Sequence, residues 1–245
     1  MVEREAAFAT LRSEDPIRFF EERAVEFLPS GRGYWAVTRH ADVIEASRRA
    51  DLFCSGNGTN IPDLPSEFNE FFGSMINMDD PRHARLRRIV SAGFTPKMMK
   101  KLEGHIEETA AAVVDSVADL GECDFVTDIA ARLPLVIICE MMGIDPDRHE
   151  EVFRLSNTIL SGGDPEYFTE VEDPIGVLLS AGADLAAIMN ETAEVRRGGD
   201  GEDLTTILVN AEVEGEHLTA DEMASFFVLL CVAGNETTRN AITWG

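Results

Sequence analysis

The sequence predicts a mostly α-helical fold with one small β element. Two observations point that way. From Pro81 onward apolar residues recur at helical spacing, interrupted only at short breaks. And a single short run, Tyr34-Trp35-Ala36-Val37-Thr38, is rich in aromatic and β-branched residues of the strand-forming kind.

Taken in order, Asp15-Pro16 is expected to open a helix reaching about Phe27, with Ile17, Phe20 and Ala24 on one side, because proline suits a first helical turn. Gly31-Arg32-Gly33 breaks the chain before the Tyr34–Thr38 strand. Ala41 to Ala50 reads as a helix with Val43, Ile44 and Ser47 facing inward. Between Phe53 and Met78 periodicity is lost amid Gly56, Gly58, Pro62, Pro65 and Gly73, which predicts a long loop. Its Phe68, Phe71, Phe72 and methionines argue against plain disorder. Helices resume at Pro81 and run to about Gly143, with breaks at Thr95-Pro96 and near Gly121. Asp145-Pro146 begins another, interrupted by Ser161-Gly162-Gly163-Asp164-Pro165. A further helix is expected over Gly176 to Arg196, and Arg197-Gly198-Gly199-Asp200-Gly201 is expected to be an exposed turn. The last helix starts at Thr219, where Glu222 three residues on completes a capping-box signature.

Composition narrows the function classes. An apolar share of 44% and a charged share of 27% are ordinary for a globular protein. A net charge of −24 excludes nucleic acid as a partner, since phosphate binding needs a basic surface. The N-terminus carries no signal-like apolar run, and apolar runs such as Phe226 to Gly234 fall well short of the ~20 residues that span a bilayer, so no membrane anchor is expected and the cytoplasm is the default location. Cys54, Cys123, Cys139 and Cys231 lack the paired spacing of zinc sites or disulfide frameworks.

Two constellations carry chemistry. Ala233-Gly234-Asn235-Glu236-Thr237-Thr238 follows the apolar run Phe226–Val232, so an acid and two hydroxyls stand in mid-helix, where burial without partners costs several kcal/mol. Thr237 is four residues after Ala233 and can bond its carbonyl, which bends a helix. Gly234 is expected to let a flat, bulky group approach the backbone. Upstream, Asp80-Pro81-Arg82-His83 is followed by Arg87, which puts His83 and Arg87 on one helical face as donors to carboxylates. Arg82 to Leu102 holds seven basic residues and no acid, in a chain with 45 acids. Such a segment suits an anion or an acidic partner.

These motifs resemble those of the cytochrome P-450 family, the bacterial soluble haem-thiolate monooxygenases. Met78 to Arg87, followed by Gly93-Phe94-Thr95-Pro96, is similar to the family's C-helix region, and Ala233 to Thr238 to its oxygen-activating I-helix. The resemblance covers essentially the whole chain and implies the N-terminal part of the cytochrome P-450 fold: one incomplete domain over residues 1–245, truncated within the I-helix. It implies that His83 and Arg87 contact haem propionates, that Ala233 and Gly234 lie over the distal haem face, and that Glu236 and Thr237 are the catalytic acid–alcohol pair passing protons to the oxygen being activated. It further implies a substrate roof over Phe53 to Met78, a lid formed by the helices around Asp147 to Arg196, and a ferredoxin-type electron donor docked at the basic face Arg82–Lys101. The reaction class is hydroxylation of an apolar small molecule with O2, and the string Ala233 to Asn240 is similar to members acting on sterol side chains or methyl-branched lipids. The family's Glu-x-x-Arg helix and cysteine loop are absent, so no metal ligand is assigned. The alternative is an inactive all-α fragment, or a ligand-binding or interaction module, that holds no haem.

Overall fold

The structure, a computed structural model, describes residues 2–22, 31–61, 66–161, 173–213 and 215–245. They fall into two compact units, Met1–Ala84 and Arg85–Gly245.

In the first unit, helix α1 (Val2–Glu14) precedes an antiparallel pair, β1 (Ile17–Phe20) and β2 (Tyr34–Val37). Ile17 pairs with Val37 and Phe19 with Trp35, so these four share one face and Arg18, Phe20, Tyr34 and Ala36 the other. The expected helix from Asp15 is therefore a strand over its first half, and from residue 23 on, including Ala24 and Phe27, it lies outside the described residues. The reason is cross-strand aromatic pairing, which local periodicity does not register. Phe19 meets Trp35 edge-on at 5.4 Å, and Phe20 stacks on Tyr34 at 5.6 Å. Helix α2 (His40–Arg48) forms where expected, but Val43 and Ser47 are exposed, leaving Ile44 alone of the three predicted inward residues half-buried.

The stretch from Phe53 to Met78 is not a plain loop. It contains helix α3 (Ser66–Gly73) and a 3-10 turn (Ser74–Asn77). Its glycine-rich first part is tied down by polar bonds. Asp79 accepts from the amides of Ser55 (2.8 Å) and Gly56 (2.9 Å), Thr59 Oγ1 donates to Asn77 Oδ1 (2.7 Å), and Asn77 Nδ2 donates to the Asn69 carbonyl (2.9 Å). The two amides hold the Asp79 carboxyl below its ordinary pKa.

Helix α4 (Arg82–Gly93) is followed by α5 (Pro96–Val117), whose first turn is capped by Thr95 accepting from the Met98 amide. A π-helical turn (Phe125–Ala130) leads into α6 (Arg132–Met141). That helix stops at Gly143, whose φ of +69° permits the left-handed residue that lets the Ile144 amide reach back to the Cys139 carbonyl. Helix α7 (His149–Leu160) follows the 3-10 turn at Pro146–Arg148, as Asp145-Pro146 predicts. Of the interruption expected after it, Ser161 is a turn residue and 162–165 lie outside the described residues. Helix α8 (Pro174–Arg196) matches its expected span, and residues 197–201 are exposed. A short helix, α9 (Leu204–Val209), was not expected from the sequence. Finally α10 (Ala220–Leu229), a π-helical turn (Leu230–Gly234) and α11 (Asn235–Trp244) run on without a break.

Helix α10 is the core of the second unit. Met223 to Val228 are all buried, and α8 packs along it. A helix apolar on every side must be enclosed, and this one is. Its start is held from α4: Arg85 donates to Glu216, to the His217 carbonyl (2.7 Å) and to Glu222 (2.7 Å), while Glu222 closes the capping box with Thr219. Among the described residues no helix is long and apolar enough to cross a membrane.

Candidate functional site

The predicted motif begins at a defect in the helix. Residues Leu230–Gly234 form a π turn, one wider than an α turn, and this frees backbone groups that a regular ladder would pair. Thr237 uses the opening: its Oγ1 donates to the Ala233 carbonyl at 2.8 Å, as the four-residue spacing requires. Its side chain is exposed, whereas Ala233, Gly234 and Glu236 are half-buried. In the direction where a Cβ would stand on Gly234, Ile138 of α6 lies at 3.1 Å. The close approach this glycine permits on that side is thus by a neighbouring helix.

Glu236 turns away from Thr237. Its carboxylate pairs with Arg239 and accepts from Asn240 Nδ2 at 2.9 Å, and no hydrogen bond joins it to Thr237 among the described residues. Both Glu236 and Arg239 line a cleft of about 400 Å³ between the Phe125–Ala130 turn and α7, shared with Thr127, Phe153 and Asn157. Arg239 and Asn240 escaped the sequence reading. Their spacing of three and four residues from Glu236 was the signal that could have found them.

Next to Glu236, Asn235 is fully enclosed, and neither its Oδ1 nor its Nδ2 has a partner among the described residues. One turn earlier Cys231 is equally buried. Burial, with the neighbouring Cys139 adding to it, pushes its thiol well above the ordinary range, and Ser156 pulls it back less. Burial likewise pushes Cys139 up to about 12, with Glu140 contributing. Both stay protonated thiols at neutral pH, and the other two cysteines are exposed. Among the described residues no group of His, Cys, Asp and Glu is placed to hold a metal ion.

The second constellation lies on α4. His83 is half-buried, with Nδ1 at 3.4 Å from Asp80 Oδ1. Arg87, four residues on, is exposed and has no carboxylate partner among the described residues. The basic segment is less open than its composition implies. Arg82 pairs with Glu70, Arg85 with Glu216 and Glu222, and Lys97 and Lys101 both with Glu202, whose carboxyl they pull down to about 2. A groove of about 470 Å³ beside α5 and α6, lined by His105, Glu108, Glu140 and Glu202, contains none of the predicted site residues. Its His105 Nε2 stands 2.7 Å from Glu140.

No protein-family model matches the chain. It is 46% identical over 245 residues to a methyl-branched lipid omega-hydroxylase of Mycobacterium bovis, a match that takes in 99% of this chain and 56% of that protein. A steroid C26-monooxygenase of Mycolicibacterium smegmatis is 38% identical over 248 residues, covering 97% and 55%. Among solved structures, a Mycobacterium marinum cytochrome P450 in complex with pseudoionone superimposes with a TM-score of 0.91 at 38% identity, over 99% of this chain and 59% of its own. The chain therefore spans little more than half the length of the relatives it matches. With the helical architecture, the two-stranded sheet and the bent helix carrying Glu236 and Thr237, these likenesses place the chain in the cytochrome P-450 family, as the N-terminal portion of its fold.

Proposed function

We propose that this chain supplies the oxygen-activating half of a cytoplasmic haem monooxygenase that hydroxylates an apolar small molecule, with a methyl-branched lipid or a sterol side chain as the substrate class. What supports the reading is the π-widened turn at Leu230–Gly234, with the Thr237 hydroxyl on the Ala233 carbonyl and a titratable carboxyl next to it in sequence. When bound, haem supplies the reductive activation of O2. The residues present fit part of that group. His83 and Arg87 are donors suited to its propionates, and Arg87 has no competing carboxylate among the described residues. Ala233 and Gly234 are small residues that would leave room for it on the side of the helix away from Ile138. The chain's own cysteines would not suit the part of its thiolate ligand, because Cys139 and Cys231 are enclosed and protonated and Cys54 and Cys123 lie exposed at the surface. The resemblance puts that ligand in a loop outside the matched stretch.

The residues here have separable tasks. Thr237 holds a hydroxyl proton at a bend where it can exchange its carbonyl partner for a substrate-side acceptor. Glu236 holds a carboxylate at the cleft beside α7, on the solvent side, with Arg239 and Asn240 fixing its position. Transfer from one to the other requires Glu236 to change rotamer or a water to bridge them. Electrons are proposed to come from a ferredoxin-type donor docked near Arg87 and Lys100, cations of the basic segment that have no carboxylate partner among the described residues.

The deciding measurement is Thr237→Ala in a polypeptide that includes the haem-ligand loop. Proton delivery by a placed side chain is worth on the order of 10²-fold or more. Product formation should fall by that order while O2 and reductant consumption continue. Retention of full coupling would remove the role of Thr237.

A further inference from the structure

The side of the bent helix away from Thr237 carries its own unexplained chemistry. Asn235 is completely buried, yet both polar atoms of its amide lack a partner among the described residues. Ser156 on α7 is also completely buried, and its Oγ has only the Cys231 thiol, a weak hydrogen-bonding group, beside it. The Nε of Arg239 is a third buried polar atom without a partner. Leaving an amide and a hydroxyl dry in a protein interior costs several kcal/mol, so native cores do not keep them that way.

These groups converge on one seam. Successive helical positions are turned by ~100°, and positions four apart share a face. Cys231, Asn235 and Arg239 therefore form one stripe. At its inner end Cys231 is set against Ser156 and Cys139. At its outer end Arg239 lines the cleft with Asn157, Leu160 and Ser161 of α7. Gly234, one position before Asn235, faces Ile138 of α6. Asn235 thus stands between α6 and α7, bracketed on both sides by residues that face α7.

We propose that this seam is a built internal water site, in which at least one ordered water bridges the Asn235 amide to the Ser156 hydroxyl and continues the hydrogen-bonded path toward Arg239 and the cleft. The chemistry of the walls selects the occupant. Asn235 offers both a donor and an acceptor, Ser156 either, and Arg239 Nε a donor, so the ligand must both donate and accept. An anion is disfavoured because the Arg239 charge is already matched by Glu236. A metal ion is disfavoured because no group of His, Cys, Asp and Glu among the described residues is placed to hold one. The water fixes the rotation of α11 just beyond the π turn, and with it the directions of Glu236 and Thr237. This holds whether or not the proposed monooxygenase reading is correct.

A crystal structure of the protein resolving internal solvent, with water oxygen-17 relaxation dispersion counting long-lived waters in solution, tests the site. The expected result is a solvent peak within about 3.2 Å of an Asn235 side-chain atom and of Ser156 Oγ, together with loss of one long-lived water in Ser156→Ala or Asn235→Leu. Asn235 bonded directly to protein atoms with no solvent peak would overturn the proposal. So would a long-lived water count unchanged by Ser156→Ala. Should Asn235→Leu fail to fold, the wild-type density and the milder serine variant still decide the matter.

Discussion

At the position of Thr237, a regular helix would offer the Ala233 carbonyl only to a backbone amide. Here the hydroxyl also takes that carbonyl at 2.8 Å, so the bend is maintained by a group that can be withdrawn without unfolding the turn. Glu236 is held differently, by a cation three residues on and an amide four residues on. Arg239→Ala is expected to cost about 1 kcal/mol of stability, read as a lowered urea midpoint, because the pair is only partly shielded from solvent. It should also free the Glu236 carboxylate to turn toward Thr237. The Glu236–Thr237 adjacency and the Thr237–Ala233 bond were legible from spacing alone. The partnering of Glu236 by Arg239 was within reach of the same spacing rule, but the burial of Asn235 was not, because a polar residue next to an acid reads as exposed until α6 and α7 are in place.

Among the elements, α10 shows how a cap and a tertiary clamp combine. Thr219 and Glu222 satisfy each other's free amides, a local device fully readable in the sequence. Arg85, more than a hundred residues earlier, then takes the other Glu222 oxygen. Thr219→Ala should destabilise by about 1 kcal/mol, the usual worth of an N-cap. Arg85→Ala should cost more, about 2–3 kcal/mol, because it strands the largely buried Glu222 carboxylate. Calorimetry that ranked the two variants in the opposite order would contradict this account. Elements set by periodicity and start signals, such as α5, α7 and α8, formed close to their expected spans. Strand β1 did not, since Ile17–Phe20 is a strand only because Tyr34–Val37 lies beside it. Helix α3 was hidden behind a glycine-rich stretch that is held by side-chain bonds from Asn77 and Asp79.

For the molecule as a whole, charge is the governing feature, with 45 acidic against 21 basic residues. Scarce cations are therefore mostly claimed internally, and Glu202 illustrates the consequence. Lys97 and Lys101 lower its pKa from 4.5 to about 2 in the folded chain. A carboxyl depressed on folding contributes stability that is present above its unfolded pKa and lost as pH falls toward its folded one. Glu202→Gln should accordingly flatten the stability profile between about pH 4.5 and pH 2 and leave its shape above pH 5 unchanged, as followed by acid titration of the circular dichroism signal. On the proposed docking of a ferredoxin-type donor, Lys100→Glu in a complete enzyme should slow donor-driven turnover and weaken its salt dependence without altering turnover driven by a chemical reductant. Mixed with haem and reduced under carbon monoxide, the 245-residue chain alone should give no thiolate-type band, because Cys139 and Cys231 are enclosed and protonated, and Cys54 and Cys123 lie at the surface, where water competes for any metal–thiolate bond. A clean band would reverse that conclusion. Period, caps and the two short motifs sufficed to identify a helical chain of this family and to single out Glu236, Thr237, His83 and Arg87 as candidates, because each motif depends on neighbours within four residues. Which atoms those side chains face was decided only by packing between segments far apart in sequence. The same packing encloses Asn235, presses Ile138 against Gly234 and joins Glu202 to two lysines, since burial and charge pairing depend on distance in space and not along the chain.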